Sequence, residues 1–379
     1  MIVSCENRIA KARIACAALL LCLIRAVSSA NDVPLPTATA WPEADALFRN
    51  DPQWVGADDA YSVDLGHGRI LWLFADTLID PSGKHSRQGS QFIHNSVAIQ
   101  NGSDPSAASV RFCWHTANAK PASFFPETKS ILLQGKDAWY WPGGGTFADG
   151  RLLIFLMRVH AAGEGAFGFK VSGSVAVLID NPDADPAEWH TQTFAIPSNR
   201  LGVVIGSGSA FEQSGYLYAF GSVEPGRHDI YANRWAAPLA AQGRFDDPEW
   251  WLGTSGGWVP QSRLVSPARG VFGNGQTEFT VHFSTKFACY LEFQTLGFGA
   301  ADIAMRTAPQ FTGPWTTLRA VYAPPEKNRP RVFVYAGKAH PELTGADLVL
   351  TYASNSSELG DVIRDQSLYY PRFVRLNFR

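Results

Sequence analysis

Stretches rich in Ala, Leu, Glu and Lys, the residues that build helices, are scarce beyond residue 31 of this 379-residue chain. Charge is also low, at 17% of residues. No charge run, linker or low-complexity tract divides the sequence after residue 40, which argues for one domain. Cysteines number five, three of them in the first thirty residues, and no CxxC pair occurs, so a cysteine zinc site or redox motif has no support. What is present in quantity is apolar surface, with 46% hydrophobic and 12% aromatic residues, which excludes disorder. Glycine (34) and proline (24) are plentiful, and together with the missing helix formers they predict an all-β chain.

The first thirty residues differ from the rest. Arg8, Lys11 and Arg13 precede an apolar stretch from Ile14 to Ile24, and small residues follow at Ser28 and Ala30. This pattern predicts a secretory signal over 1–30, with cleavage after Ala30, and the apolar run is too short for a membrane span. Loss of Arg8, Lys11, Arg13 and Arg25 against Glu6 moves the formal charge from −2 to −5, which disfavours nucleic acid as a partner. A secreted, periplasmic or extracellular monomer is expected over 31–379.

A glycine turn, about seven strand-like residues and a polar exit recur five times: "GHGRILWLFADT" (66–77), "ADGRLLIFLMRV" (148–159), "QSGYLYAFGSVE" (213–224), "GNGQTEFTVHFST" (273–285) and "TGADLVLTYASN" (344–355). Later strands leave traces after each copy, such as "SVAIQN" with "RFCWHT" and "GSVAVLID" with "WHTQTFAI". A spacing of roughly sixty to eighty residues suits four-stranded blades with elaborate loops, so the prediction is a five-bladed β-propeller; an irregular β-sandwich is the alternative. In such a ring Cys113 and Cys289 fall in blades one and four and are expected to be free thiols.

The hairpin "GADDAYSVDLGHGRILWLFADT" (56–77) carries aspartates at both ends. If Gly66, His67 and Gly68 form a three-residue loop, Asp58 opposes Asp76; if the loop is His67-Gly68 alone, Asp59 does. Either register brings two carboxylates to one rim, where mutual repulsion raises the cost of ionising one of them. A general acid and a general base of a glycosidase arise in that way. The plainer reading is that Asp58 and Asp59 cap a turn and Asp76 binds a loop amide. Aligning the copies by their turn glycine extends the rim to Arg158, Glu224, Ser284 and Asn355, and His94, Asn95, Trp141 and His340 open neighbouring strands, where an indole can serve as a sugar platform.

The motifs "GADDAYSVDLGHGRILWLFADT", "FIHNSVAIQ", "WYWPGGG", "YAGKAHPEL", "LVLTYASNSS" and "YYPRFVRL" resemble those of a bacterial family of secreted five-bladed propellers that includes endo-acting D-arabinanases. The resemblance runs from about Trp54 to Phe378. It implies that Asp58 and Asp76 are the paired catalytic acids, which selects the three-residue loop, and that His94, Trp141, His340 and Asn355 surround the cleft. Where relatives read "GADG" and "FGDT" this chain has "GADD" and "FADT", and "WPGGG" lacks an acid that relatives often place at Gly144. The expected function is cleavage of a furanose-rich polysaccharide, D-arabinan first, by Asp58 and Asp76, with His94, Asn95, Trp141, Arg158, Glu224, His340 and Asn355 binding substrate. Inversion is expected, because short aspartate side chains leave room for a water. The alternatives are a non-catalytic sugar-binding propeller and a hydrolase of L-arabinan or a sialoside. No cofactor is called for, and a structural ion at the propeller axis is left open.

Overall fold

The sequence "ILWLF" (70–74) alternates nothing: five residues in a row are fit for burial on both faces of a strand, and "LLIFLM" (152–157) repeats the pattern. A strand buried on both faces needs an apolar neighbour on each side. In the computed structural model, which describes residues 33–127, 138–164, 167–224, 226 and 228–379, five sheets radiate from an axis and supply those neighbours to one another. The expected signal segment lies outside the described residues.

The innermost strands are Trp54–Gly66, Ala138–Ala148, Val203–Gln213, Thr280–Ser284 and Val332–His340, one per blade. Each packs against the next, and the last returns to the first. Five apolar clusters fill the wedges between blades. Leu71 and Leu73 of blade one meet Leu152, Ile154 and Leu156 of blade two, while Leu153 and Phe155 on the other face of that strand meet Ile205 and Leu217 of blade three. The fold is a single-domain, five-bladed β-propeller with few helical residues.

The ring is closed by a strand the sequence did not announce. Thr37–Ala40 pairs antiparallel with the C-terminal strand Arg372–Asn377, Thr37 opposite Asn377 and Ala40 opposite Val374, and so becomes the outermost strand of blade five. Trp41, 3% exposed, pins this junction and its amide donates to Phe373 O at 2.9 Å.

Near the axis the blades approach closely. A Cβ at Gly144 would lie 2.2 Å from Gly208 O and one at Gly143 2.2 Å from Gly206 O, so no side chain fits there. The acid absent from "WPGGG" has no room in this chain. The axis holds Lys338, fully buried, with its Nζ 2.7 Å from Asp59 Oδ1, 3.1 Å from Glu278 Oε1 and 4.3 Å over the Tyr61 ring. Cys113 and Cys289, the two cysteines among the described residues, are free and buried, and burial pushes their thiols up to about 11.

One repeat was misaligned. "GNGQTEFTVHFST" contains the innermost strand of blade four rather than its second, which is Cys289–Thr295. The turn between them, residues 285–288, has no glycine, and the glycine signal came from the preceding loop.

Candidate active site

The register of the first hairpin decides which carboxylates meet. Gly66 pairs with Arg69, so the loop is His67-Gly68 and the three-residue loop is corrected. One step later Asp64 pairs with Ile70, because Leu65 is an extra residue on its strand. That bulge shifts the register by one and undoes the difference between the two loops. Further up, Asp59 pairs with Phe74 and Ala57 with Thr77, leaving Asp58 alone against Ala75 and Asp76. Asp58 therefore stands beside Asp76 by way of compensating bulges. Asp59 and Ala60 take left-handed conformations there (φ 72° and 65°), a strain of about 1–3 kcal/mol each that the surrounding blades must offset.

The bulges turn the adjacent aspartates in different directions. Asp59, 2% exposed, faces the axis and Lys338. Asp58 faces a cleft of about 980 Å³ that Asp76 also lines. Tyr335, from the innermost strand of blade five, donates to Asp58 Oδ2 at 2.6 Å, and Oδ1 is buried with no hydrogen-bond partner among the described residues. Asp76 Oδ1 is bonded to His94 Nδ1 at 3.0 Å and accepts from Trp141 Nε1 at 2.8 Å, and Tyr369 OH donates to the Asp76 carbonyl at 3.0 Å.

These surroundings push the two groups unequally. Burial, then the charge of Asp76, hold the Asp58 carboxyl well above the ordinary range. Burial also raises Asp76, but the His94 and Trp141 donors stabilise its charged form and oppose the rise. At the axis, burial of Lys338 is outweighed by Asp59 and Glu278, which keep the ammonium charged. Burial drives Asp59 well above the usual carboxylate range, whereas Glu278 is held below it, Lys338 being the main opposition to its burial. Lys338 and Glu278 form an ion pair at the axis, with Asp59 against the same ammonium.

Glu224 and Asn355 line the cleft as expected. Burial works against Glu224, yet hydrogen bonds from His228, Ser222 and Thr277 prevail and keep it ionised, below the ordinary glutamate range. The bonds measure 3.3 Å to His228 Nε2, 2.6 Å to Ser222 and 2.5 Å to Thr277. Asn355 Nδ2 reaches Tyr335 OH at 3.5 Å. His94, bonded to Asp76, stacks face to face on Trp139 at 4.4 Å with planes 12° apart.

Four expected rim residues lie elsewhere. Asn95 is fully buried: its Nδ2 donates to Phe125 O and Tyr140 O and its Oδ1 accepts from Phe125 N, so it fastens blade one to the first strand of blade two. His340 is fully buried between Ser62 Oγ (2.5 Å) and Thr351 Oγ1 (2.7 Å), and burial followed by the Lys338 charge holds its pKa well below that of free histidine. Arg158 pairs with Tyr140 and continues the Leu152, Ile154, Leu156 row towards blade one, while Met157, paired with Trp141, takes the cleft position. Ser284 ends its strand at the hairpin turn, away from the cleft. Among the loops, the segment from Arg87 to Phe92 contributes to the cleft lining and residues 254–270 do not.

Tyr335, Tyr369, Glu278 and His228 were missed. Each lies in a blade remote in sequence from the hairpin, and only closure of the ring brings it to the carboxylates. "FVYAGK" offered one signal: left-handed Ala336 (φ 56°) and the register shift between Tyr335 and Lys338 turn both polar ends inward.

The family described as Domain of unknown function (DUF5005) matches residues 43–378, and the chain belongs to it. A crystal structure from Bacteroides ovatus, described as a candidate hydrolase, is similar over 89% of this chain and 90% of that chain, with 17% identity and a TM-score of 0.68. The exo-β-1,3-galactanase of Phanerochaete chrysosporium (12% identity, 90% of this chain, 67% of that chain, TM-score 0.47) is also similar. So is the catalytic domain of the Coprinopsis cinerea GH62 α-L-arabinofuranosidase (11% identity, 85% and 91%, TM-score 0.43). At 17% identity the likeness to the Bacteroides ovatus structure shows the fold alone. No curated protein matches the chain.

Proposed function

We propose that this member of the DUF5005 family is an exported glycoside hydrolase that cleaves a furanose-rich polysaccharide, with D-arabinan as its substrate. The observation that carries the reading is the pairing of Asp58 and Asp76 in one cleft with opposite support. Asp58 has an unpartnered buried oxygen and a raised pKa and suits the proton donor; Asp76, held by two donors, suits the base. In the cleavage step Asp58 gives its proton to the leaving glycosidic oxygen as the bond from the anomeric carbon breaks. Asp76 takes a proton from the water that attacks that carbon, and the two carboxyls exchange protonation states until solvent restores them. The choice of D-arabinan is supported by the motif resemblance around the hairpin, and export by the N-terminal thirty residues.

The test is incubation of purified mature protein with D-arabinan, L-arabinan and arabinogalactan, followed by sizing of the released oligosaccharides and NMR of the first-formed anomer. Fragments from D-arabinan with inverted anomeric configuration are expected. Binding of these glycans without new reducing ends would contradict the reading.

A further inference from the structure

We infer that the cleft contains an apolar subsite, built by Phe298 and Phe333 with Phe167, that takes an acyl or aryl group carried by the substrate next to the cleaved linkage. The inference rests on the glycosidase reading of the cleft and adds to it a preference for furanosides bearing such a group. The three rings come from separate blades: Phe167 from the segment before strand Phe169–Ile179 of blade two, Phe298 from the loop after Cys289–Thr295 of blade four, and Phe333 from the innermost strand of blade five. Their centroids lie 4.9 to 5.9 Å apart, and all three line the cleft. Phe167 and Phe298 are 58% and 55% exposed. So much exposed phenyl surface, drawn together from three places, is costly in water and marks a ligand surface.

The geometry of the cluster selects the ligand. A sugar presents a flat face of C–H groups and packs on a single flat ring face, such as that offered by the stacked His94–Trp139 pair. The three phenylalanines share no plane: Phe298 and Phe333 are tilted by 31°, Phe167 and Phe333 by 51°, Phe167 and Phe298 by 79°. They form a cup whose faces and edges surround a compact apolar group. Phenyl rings offer no donor, and the neighbouring Tyr335, 5.9 Å from Phe298 and 5.4 Å from Phe333 between ring centroids, has its hydroxyl committed to Asp58. Sugar hydroxyls placed in the cup would give up water without replacement. The cup adjoins Asp58 through that tyrosine, which sets the apolar group beside the reacting linkage.

The experiment titrates benzyl and methyl α-D-arabinofuranosides by calorimetry into the mature protein carrying Asp76→Asn, so that both ligands survive. Benzyl glycoside is expected to bind roughly tenfold more tightly than methyl, the gain of burying one phenyl group. Adding Phe298→Ala, which removes an exposed ring, should erase that advantage and leave the thermal midpoint in place. Equal affinities, no binding of the benzyl glycoside, or an advantage that survives Phe298→Ala would overturn the inference. Reducing ends released from D-arabinan by the wild type are measured separately: their absence would defeat the glycosidase reading and leave a benzyl preference standing.

Discussion

Asp58 and Asp76 were legible in the sequence because a hairpin is a local object, although two bulges had to cancel for the pairing to hold. Arg158 was misread for the related reason. It lies as far from its turn glycine as Asp76 does from Gly68, but in blade two the doubled residues fall on the flanking strands, Gly143 and Gly144 opposite Phe155 and Ser172 and Gly173 opposite Arg158, and Met157 takes the cleft face. Asn95 and His340 read as rim residues because polar groups at strand entries look alike whether they bind a ligand or a neighbouring strand. At this scale the raised pKa of Asp58 has two consequences. Activity should fall as pH rises through the folded pKa of Asp58, since the proton donor is lost. A carboxyl raised by folding stabilises the fold when protonated and costs stability once ionised, so wild type should lose thermal midpoint relative to Asp58→Asn as pH climbs through the same window. Paired pH series of turnover and of midpoint check both, and a midpoint difference independent of pH would contradict the second.

Strands of the blades were legible as turn-plus-apolar repeats, and blade four was misaligned because its inner turn lacks glycine. That blade depends on a buried ion pair instead. Arg306 donates to Glu292 Oε2 at 2.8 Å, to Gln294 Oε1 at 3.0 Å and to the carbonyls of Gly273 and Asn274, and so fixes the loop that leads to Glu278. Burial pushes Glu292 up to about 7 against the pull of Arg306. Arg306→Met should cost about 3–5 kcal/mol, because a buried carboxylate is left without its partner. The cost should be larger at pH 8 than at pH 5, where Glu292 binds a proton and its burial becomes cheaper. Chemical denaturation at the two pH values measures this, and an equal cost at both would show that the ion pair is not the source.

For the whole molecule, the repeats indicated how many blades there are, whereas the means of closure lay hidden in a four-residue strand whose partner is more than three hundred residues away. Closure is also what assembles the site, since Tyr335, Glu278 and Tyr369 reach Asp58 and Asp76 only when blades four and five return to blade one. The carboxylates come from one hairpin and their environment from the ring. The most direct measurement is the rate of reducing-end release from D-arabinan by Asp58→Asn and Asp76→Asn, each beside its thermal midpoint. Both variants should lose on the order of a thousandfold or more in turnover and remain folded. Near-normal turnover in either folded variant would contradict the paired-carboxylate account.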